Sequence, residues 1–240
     1  MSLLHRPRGT RLVLAAGLLF LLVWIGPAVL AAAPAVTVGG IPLDAPWKVR
    51  IYDLAHSKFV HPAWGWQHSE RDYLMAVRLA RGDHLQVDTD VLFAAAFLHD
   101  MAAFMPCPGP KIEHGVCAAR QARKMLEGTG FPMRKLASVQ AAESGHMFYS
   151  NPGSDPNAIV LHDADSLNFL GDLGAARLIS LTGEKAPSFA PAVKALRGFL
   201  KQIPPRLITK TAQRIGARRA AELKAFLDRL QAETDGGRVT

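Results

Sequence analysis

The chain has 240 residues, of which 49% are hydrophobic, enough for one domain with a sizeable core and appended segments. Its formal net charge of +8 would suit anionic partners such as phosphates or acidic lipid, but no nucleic-acid-binding motif accompanies it. We therefore expect no nucleic-acid partner. Ala, Leu, Arg and Lys are plentiful and strand-like alternation is rare, which predicts an all-α fold.

Residues 1–33 have the layout of a secretory signal peptide or a membrane anchor. A basic start with three arginines precedes an apolar stretch from Leu12 to Leu30. The stretch is about as long as the roughly 20 residues that span a bilayer, so cleavage and an uncleaved anchor both remain open. We expect a periplasmic or secreted protein, or a domain anchored outside the cytoplasm at the inner membrane. Membrane contact is expected only through this segment.

The rest of the chain divides into a tail, a helical domain and a helical extension. Residues 34–52 contain several Pro and Gly and predict a linker or mature tail. The domain is predicted over 53–183, and amphipathic helices over 184–240. The spacing of apolar residues, together with capping residues and helix-breaking Pro and Gly, predicts eight helices. They cover about 69–80, 88–104, 113–126, 132–146, 157–170, 175–181, 191–202 and 209–233.

Cys107 and Cys117 are the two cysteines of the chain. In an oxidising compartment they could form one disulfide that closes the Pro-rich loop between them. Two unpaired thiols are the alternative, because spacing alone does not fix the geometry.

A His-Asp pair ends the most apolar run of the predicted domain. His99 and Asp100 follow the apolar residues 91–98, where an imidazole and a carboxylate are costly unless they are paired or bind a metal. His68 lies before this pair and Asp165 after it. Each residue alone could be a helix cap or a buried hydrogen-bonded group, but their order and flanking residues form a recognisable pattern.

The pattern His, His-Asp, Asp resembles the HD superfamily of metal-dependent phosphohydrolases. The segments His61–Arg71, Ala96–Asp100 and Asp163–Leu167 resemble family segments in the same order, and the likeness extends from about residue 53 to 179. The resemblance implies an HD-domain helical bundle. Ser166 and Asn168 depart from many close relatives, which leaves the substrate preference open.

The resemblance also implies a divalent metal site. Its candidate ligands are His68, His99, Asp100 and Asp165, and Asp100 could bridge to a second ion held by His114 and His146. Nitrogen and oxygen ligands together suit Mn, Fe, Ni, Co or Zn, and one or two ions are compatible with the set. The second dipeptide of this type, His162 with Asp163, is expected to be structural.

The activity implied is hydrolysis of a phosphomonoester or nucleotide by a metal-activated water. Asp100 is then a catalytic residue, and Arg71 and Lys111 are candidates to bind the phosphate oxygens of a small phosphorylated substrate. Arg177 matches an arginine of many relatives. Two other functions remain open: a non-catalytic module that binds metal or nucleotide, and a di-iron oxygenase. The oligomeric state is not predicted.

Overall fold

The computed structural model of the chain describes residues 35–183 and 188–238. These residues form nine α-helices and no strand; Val36 and Pro42 make one isolated bridge. The all-α prediction is confirmed for this part of the chain. The helices are α1 Pro46–Lys58, α2 Trp66–Gly82, α3 Thr89–Leu98, α4 His114–Leu126, α5 Leu136–Gly145, α6 Pro156–Leu167, α7 Gly171–Gly183, α8 Ala190–Gln202 and α9 Lys210–Glu233.

Side-chain caps define where several helices begin. The carboxylate of Asp88 accepts from two backbone N–H groups of α3, and that of Glu113 accepts from one in α4. Asp155 caps α6, whose first residue is a proline, and Thr209 caps α9. These residues satisfy donors that a helix leaves unpaired in its first turn.

The first helix, α1, was not among the predicted helices, which began near residue 69. We expected a linker over 34–52, but α1 starts at Pro46, and Trp47 and Ile51 are buried in the core. Trp47 packs edge-on against Phe93, with ring centroids 5.5 Å apart. The spacing of Trp47 and Ile51 places both on one face of a helix. Burial of that face stabilises the helix more than the nearby Pro and Gly residues disfavour it.

The helix that leads to the His-Asp pair ends earlier than predicted. We expected it to continue to Phe104, but α3 ends at Leu98, and a 3₁₀ turn, Met101–Ala103, follows. The ring of His99 bonds to the carbonyl of Ala96, and the chain tightens into the 3₁₀ turn after Asp100. His99 and Asp100 therefore lie just after the end of α3, where their side chains can face other helices.

Two hydrophobic clusters hold the described helices together. The first is built mainly on α1, α3, α4 and α5, and the second on α2, α6, α7, α8 and α9. The described part of the predicted extension, α8 and α9, packs against α7, so it belongs to the same compact unit as the helices before it. Asp163 fixes the start of α9, because its carboxylate accepts from the N–H groups of Ile208 and Thr209.

Cys107 and Cys117 form a disulfide, with their Cα atoms 5.8 Å apart. It joins the loop after the 3₁₀ turn to α4, and so selects one of the two alternatives that the sequence left open. The predicted signal or anchor segment, residues 1–33, lies outside the described residues. Within the described ranges, no helix combines the length and apolar character needed to cross a bilayer.

Candidate metal centre

Three helices bring the first group of predicted ligands together. His68 lies in the first turn of α2, His99 and Asp100 follow α3, and Asp165 lies in the last turn of α6. The Nε2 atom of His68 is 3.2 Å from Oδ1 of Asp165, 3.4 Å from Nε2 of His99 and 3.5 Å from Oδ2 of Asp100. Residues far apart in the sequence thus point their ligand atoms at one point.

The other oxygen of Asp100 faces the second predicted group. Its Oδ1 atom lies 3.4 Å from Nε2 of His114 and 3.8 Å from Nε2 of His146, and these two nitrogens are 3.1 Å apart. Gly115 permits this approach of α4 to α5, since a Cβ there would lie 2.6 Å from the carbonyl oxygen of Glu143. One carboxylate therefore faces two groups of ligands, as a bridging ligand does.

The ring orientations of three histidines fit a metal. Nδ1 of His99 bonds to the carbonyl of Ala96, and Nδ1 of His146 to the carbonyl of Glu143, so in each ring Nδ1 carries the hydrogen. Nδ1 of His114 similarly lies 2.7 Å from a carboxylate oxygen of Glu113. Each Nε2 then faces inward and, once it carries no proton, offers its lone pair to a metal ion; in His99 the ion would have to displace a proton.

The facing nitrogens of His114 and His146 are placed to bind one cation. Burial first, and then the positive charge of His99, lowers the pKa of His146 to about 3, so this ring is neutral near pH 7. Its Nε2 therefore faces Nε2 of His114 at 3.1 Å without a bridging proton of its own. A divalent ion could be held by both nitrogens, and the residues present fit such an ion.

The electrostatics of the cluster also favour a cation. Burial, together with the charge of Asp72, raises the pKa of Asp165 to about 8. Burial alone would lower the pKa of His99, but Asp100, Asp72 and Asp165 raise it to about 10. The metal-free cluster therefore retains protons on Asp165 and His99 near pH 7, and a divalent ion could displace them. The site is thus built to hold added positive charge.

Asp72 is a member of the cluster that the sequence analysis missed. It is fully buried, and its Oδ2 atom lies 3.1 Å from Nε2 of His68 and 3.5 Å from Nε2 of His99. Oδ2 receives no hydrogen bond, as is also true of Oδ2 of Asp165. Asn168 donates to the other oxygen of Asp72 and so orients it. The available signal was its position four residues after His68, on the same helix face.

The cationic candidates lie in different places. The guanidinium of Arg177 donates to the carbonyls of Ala63 and Asn168 and contacts Nε2 of His68 at 3.1 Å. Lys111 is exposed and borders a second hollow, which lies beside the disulfide and shares His114 with the cavity that opens onto the cluster. Arg71 is partly buried beside the cluster, and neither it nor Lys111 lines that larger cavity at Asp100 and Asp165. As expected, Asp163 is structural, since it anchors α9.

A cavity of about 350 Å³ opens onto the cluster. Asp100 and His114, whose side chains are 17% and 33% exposed, are reached from it. This volume lies at the low end of the range for pockets that bind small molecules. The described residues that line it are Ala63, Trp64, Asp100, Ala103, His114, Met147, Asp165, Phe169, Arg177, Leu178, Leu181 and Phe199.

A helical bundle whose central helices converge on buried His and Asp side chains defines a candidate metalloprotein. Residues 65–170 match the family model described as the HD domain. Residues 65–170 therefore form an HD domain, as the sequence pattern predicted. HD domains bind divalent metals, and the cluster described above could hold one. No curated protein matches the chain.

Several solved structures share this fold at low sequence identity. A protein from Lactobacillus plantarum has a TM-score of 0.60 and 21% identity, over 78% of this chain and 96% of that one. Bacillus subtilis YpgQ in complex with ADP has a TM-score of 0.61 and 17% identity, over 79% and 98%. A predicted HD superfamily hydrolase from an uncultured Thermotogales bacterium has a TM-score of 0.57 and 23% identity, over 79% and 94%.

Proposed function

We propose that the protein is a metal-dependent hydrolase of phosphate esters. The observation that carries the proposal is the convergence of four imidazoles and three carboxylates at one end of a cavity, with Asp100 between two ligand groups. The fold is shared with a protein described as a hydrolase and with YpgQ, which was solved in complex with ADP. The first likeness supports hydrolysis, and the second supports a substrate that contains phosphate.

A bound divalent ion would lower the pKa of a coordinated water and polarise a phosphoryl oxygen. The chain supplies the remaining functions. Asp100 holds both ligand groups in register, and Glu113 orients the ring of His114 while accepting from the hydroxyl of Tyr149. Arg177 is the cationic side chain among the described residues that line the cavity, so its guanidinium would meet the phosphate oxygens.

Metal analysis and a phosphatase screen test this proposal together. We expect the purified protein to retain one or two divalent ions and to release phosphate from some members of a panel of phosphomonoesters and nucleotides. A chelator should abolish turnover, and added manganese, cobalt or nickel should restore it. Ions retained without any turnover would contradict hydrolysis and favour a binding module, whereas metal-dependent consumption of oxygen would favour an oxygenase.

We also propose that the protein is exported. The sequence layout of residues 1–33 and the disulfide between Cys107 and Cys117 support this, because disulfides persist mainly outside the reducing cytosol. After expression in a Gram-negative host, we expect the protein in the periplasmic or membrane fraction, with no free thiol on denaturation. Recovery from the cytosol with two free thiols would contradict export.

A further inference from the structure

The walls of the cavity differ in chemistry from its floor. The charged groups, Asp100, Asp165 and Arg177, lie with His114 at the metal cluster. The remaining described residues that line it are apolar, and the largest of them are Trp64, Met147, Phe169, Leu178, Leu181 and Phe199. A ligand whose phosphate reaches the cluster must therefore place its organic part against these apolar side chains.

The walls come from both sides of the matched HD segment. Trp64 precedes the matched residues 65–170, and Leu178 and Leu181 in α7 and Phe199 in α8 follow them. Phe199 is held by other rings, since its centroid lies 5.1 Å from Phe169 and 5.6 Å from Phe148. The apolar wall is thus a packed part of this chain's own fold.

Few side chains of the wall can bind a hydroxyl or a second phosphate. Among the described lining residues, the indole N–H of Trp64 is the one polar group outside the floor. Arg177 already donates to the carbonyls of Ala63 and Asn168, and its guanidinium lies over the ring of Phe169, at 4.8 Å. A sugar or a polyphosphate in this cavity would lose hydrogen bonds to water without replacement, at a cost in affinity.

We propose that the substrate is the phosphate monoester of an apolar alcohol, with the alkyl or aryl group packed between α7, α8 and the segment around Trp64. This inference rests on the proposed function for the phosphate and goes beyond it by naming the organic part. Burial of apolar surface then sets the preference among esters. Each added methylene should tighten binding about fourfold, which corresponds to about 0.8 kcal/mol.

The test uses binding and turnover in parallel on the manganese-loaded full chain. Alkylphosphonates from propyl to hexyl, which are not hydrolysed, give dissociation constants by calorimetry, and the matching alkyl phosphates give kcat/KM. Propyl phosphate and glycerol 1-phosphate share a chain length and differ in two hydroxyls. We expect about fourfold tighter binding per methylene, and at least about tenfold lower kcat/KM for the glycerol ester.

A variant of the wall gives the matched control. Leu181→Gln puts an amide into the cavity and should flatten the dependence on chain length, whereas Ile179→Gln, on the same helix but outside the lining, should keep it. Equal affinity along the phosphonate series, or preference for glycerol phosphate or a nucleotide, would overturn the apolar substrate. A clear chain-length dependence without turnover of any ester would instead support this ligand class and contradict hydrolysis.

Discussion

Asp100→Asn should release the metal and abolish activity while the fold survives. The amide keeps the size of the side chain but loses the charge that faces both ligand groups, with Oδ2 near His68 and His99 and Oδ1 near His114. Loss of groups that merely orient metal ligands costs about 10–100-fold in metal affinity, so a loss above about 100-fold is expected here. The value of kcat/KM should fall by about 10³-fold. Elemental analysis and phosphate release measure the two effects.

The chain supplies a matched control for this variant. Asp163 also follows a histidine in a buried helix, but its carboxylate accepts from the backbone of Ile208 and Thr209. Asp163→Asn should therefore keep the metal and the activity and lower only the free energy of unfolding, by about 1 kcal/mol. Full metal content in Asp100→Asn, or its loss in Asp163→Asn, would contradict the assignment of the two dipeptides.

The metal ligands that the family pattern names could be predicted from the sequence, because apolar patterns locate the buried helices that carry them. His99 and Asp100 end a run of apolar residues that can only be buried, and the burial is observed. Periodicity also predicted the helix that carries Asp165. It predicted a helix from about residue 69, whereas α2 begins at Trp66 and so also carries His68. The bundle and its central residues thus follow from local pattern and from the resemblance in residue order.

Other parts of the site depend on packing that sequence does not encode locally. An aspartate four residues after a histidine is common on exposed helices, and nothing in the segment shows that Asp72 is completely buried. Lys111 lies in a Pro-rich loop whose path was unpredictable, and it proved to be exposed. The cavity combines several separate segments, so its apolar wall became visible only in three dimensions.

A second large effect is expected at Glu143, and its direction is a gain in stability. The side chain is fully buried in α5, and neither carboxyl oxygen has a hydrogen-bond partner among the described residues. Burial raises its pKa well above the ordinary value of 4.5, although the positive charge of His99 opposes the shift. Glu143→Met removes the unsatisfied oxygens and should raise the free energy of unfolding by about 2–4 kcal/mol.

The pH dependence separates this effect from a change in packing. Between pH 4.5 and the raised pKa, the folded protein keeps a proton on Glu143 that the unfolded chain releases, so this residue makes stability fall as pH rises. The difference between Glu143→Met and the wild type should therefore grow with pH in that window, by up to about 1.4 kcal/mol per pH unit. Urea denaturation of the metal-free proteins from pH 5 to 7 measures it.

Glu127→Met is the matched control, because Glu127 is exposed at the end of α4 and the same substitution there should change stability by less than about 0.5 kcal/mol. A less stable Glu143→Met protein, or a difference that stays constant with pH, would show that the carboxyl is satisfied in the folded state.

An unsatisfied acid next to a metal cluster lowers stability, and proteins retain such groups mainly where the site uses them. The metal affinity of Glu143→Met then tests whether the metal site uses this acid. If the role of Glu143 is packing alone, the substitution should leave the metal affinity unchanged.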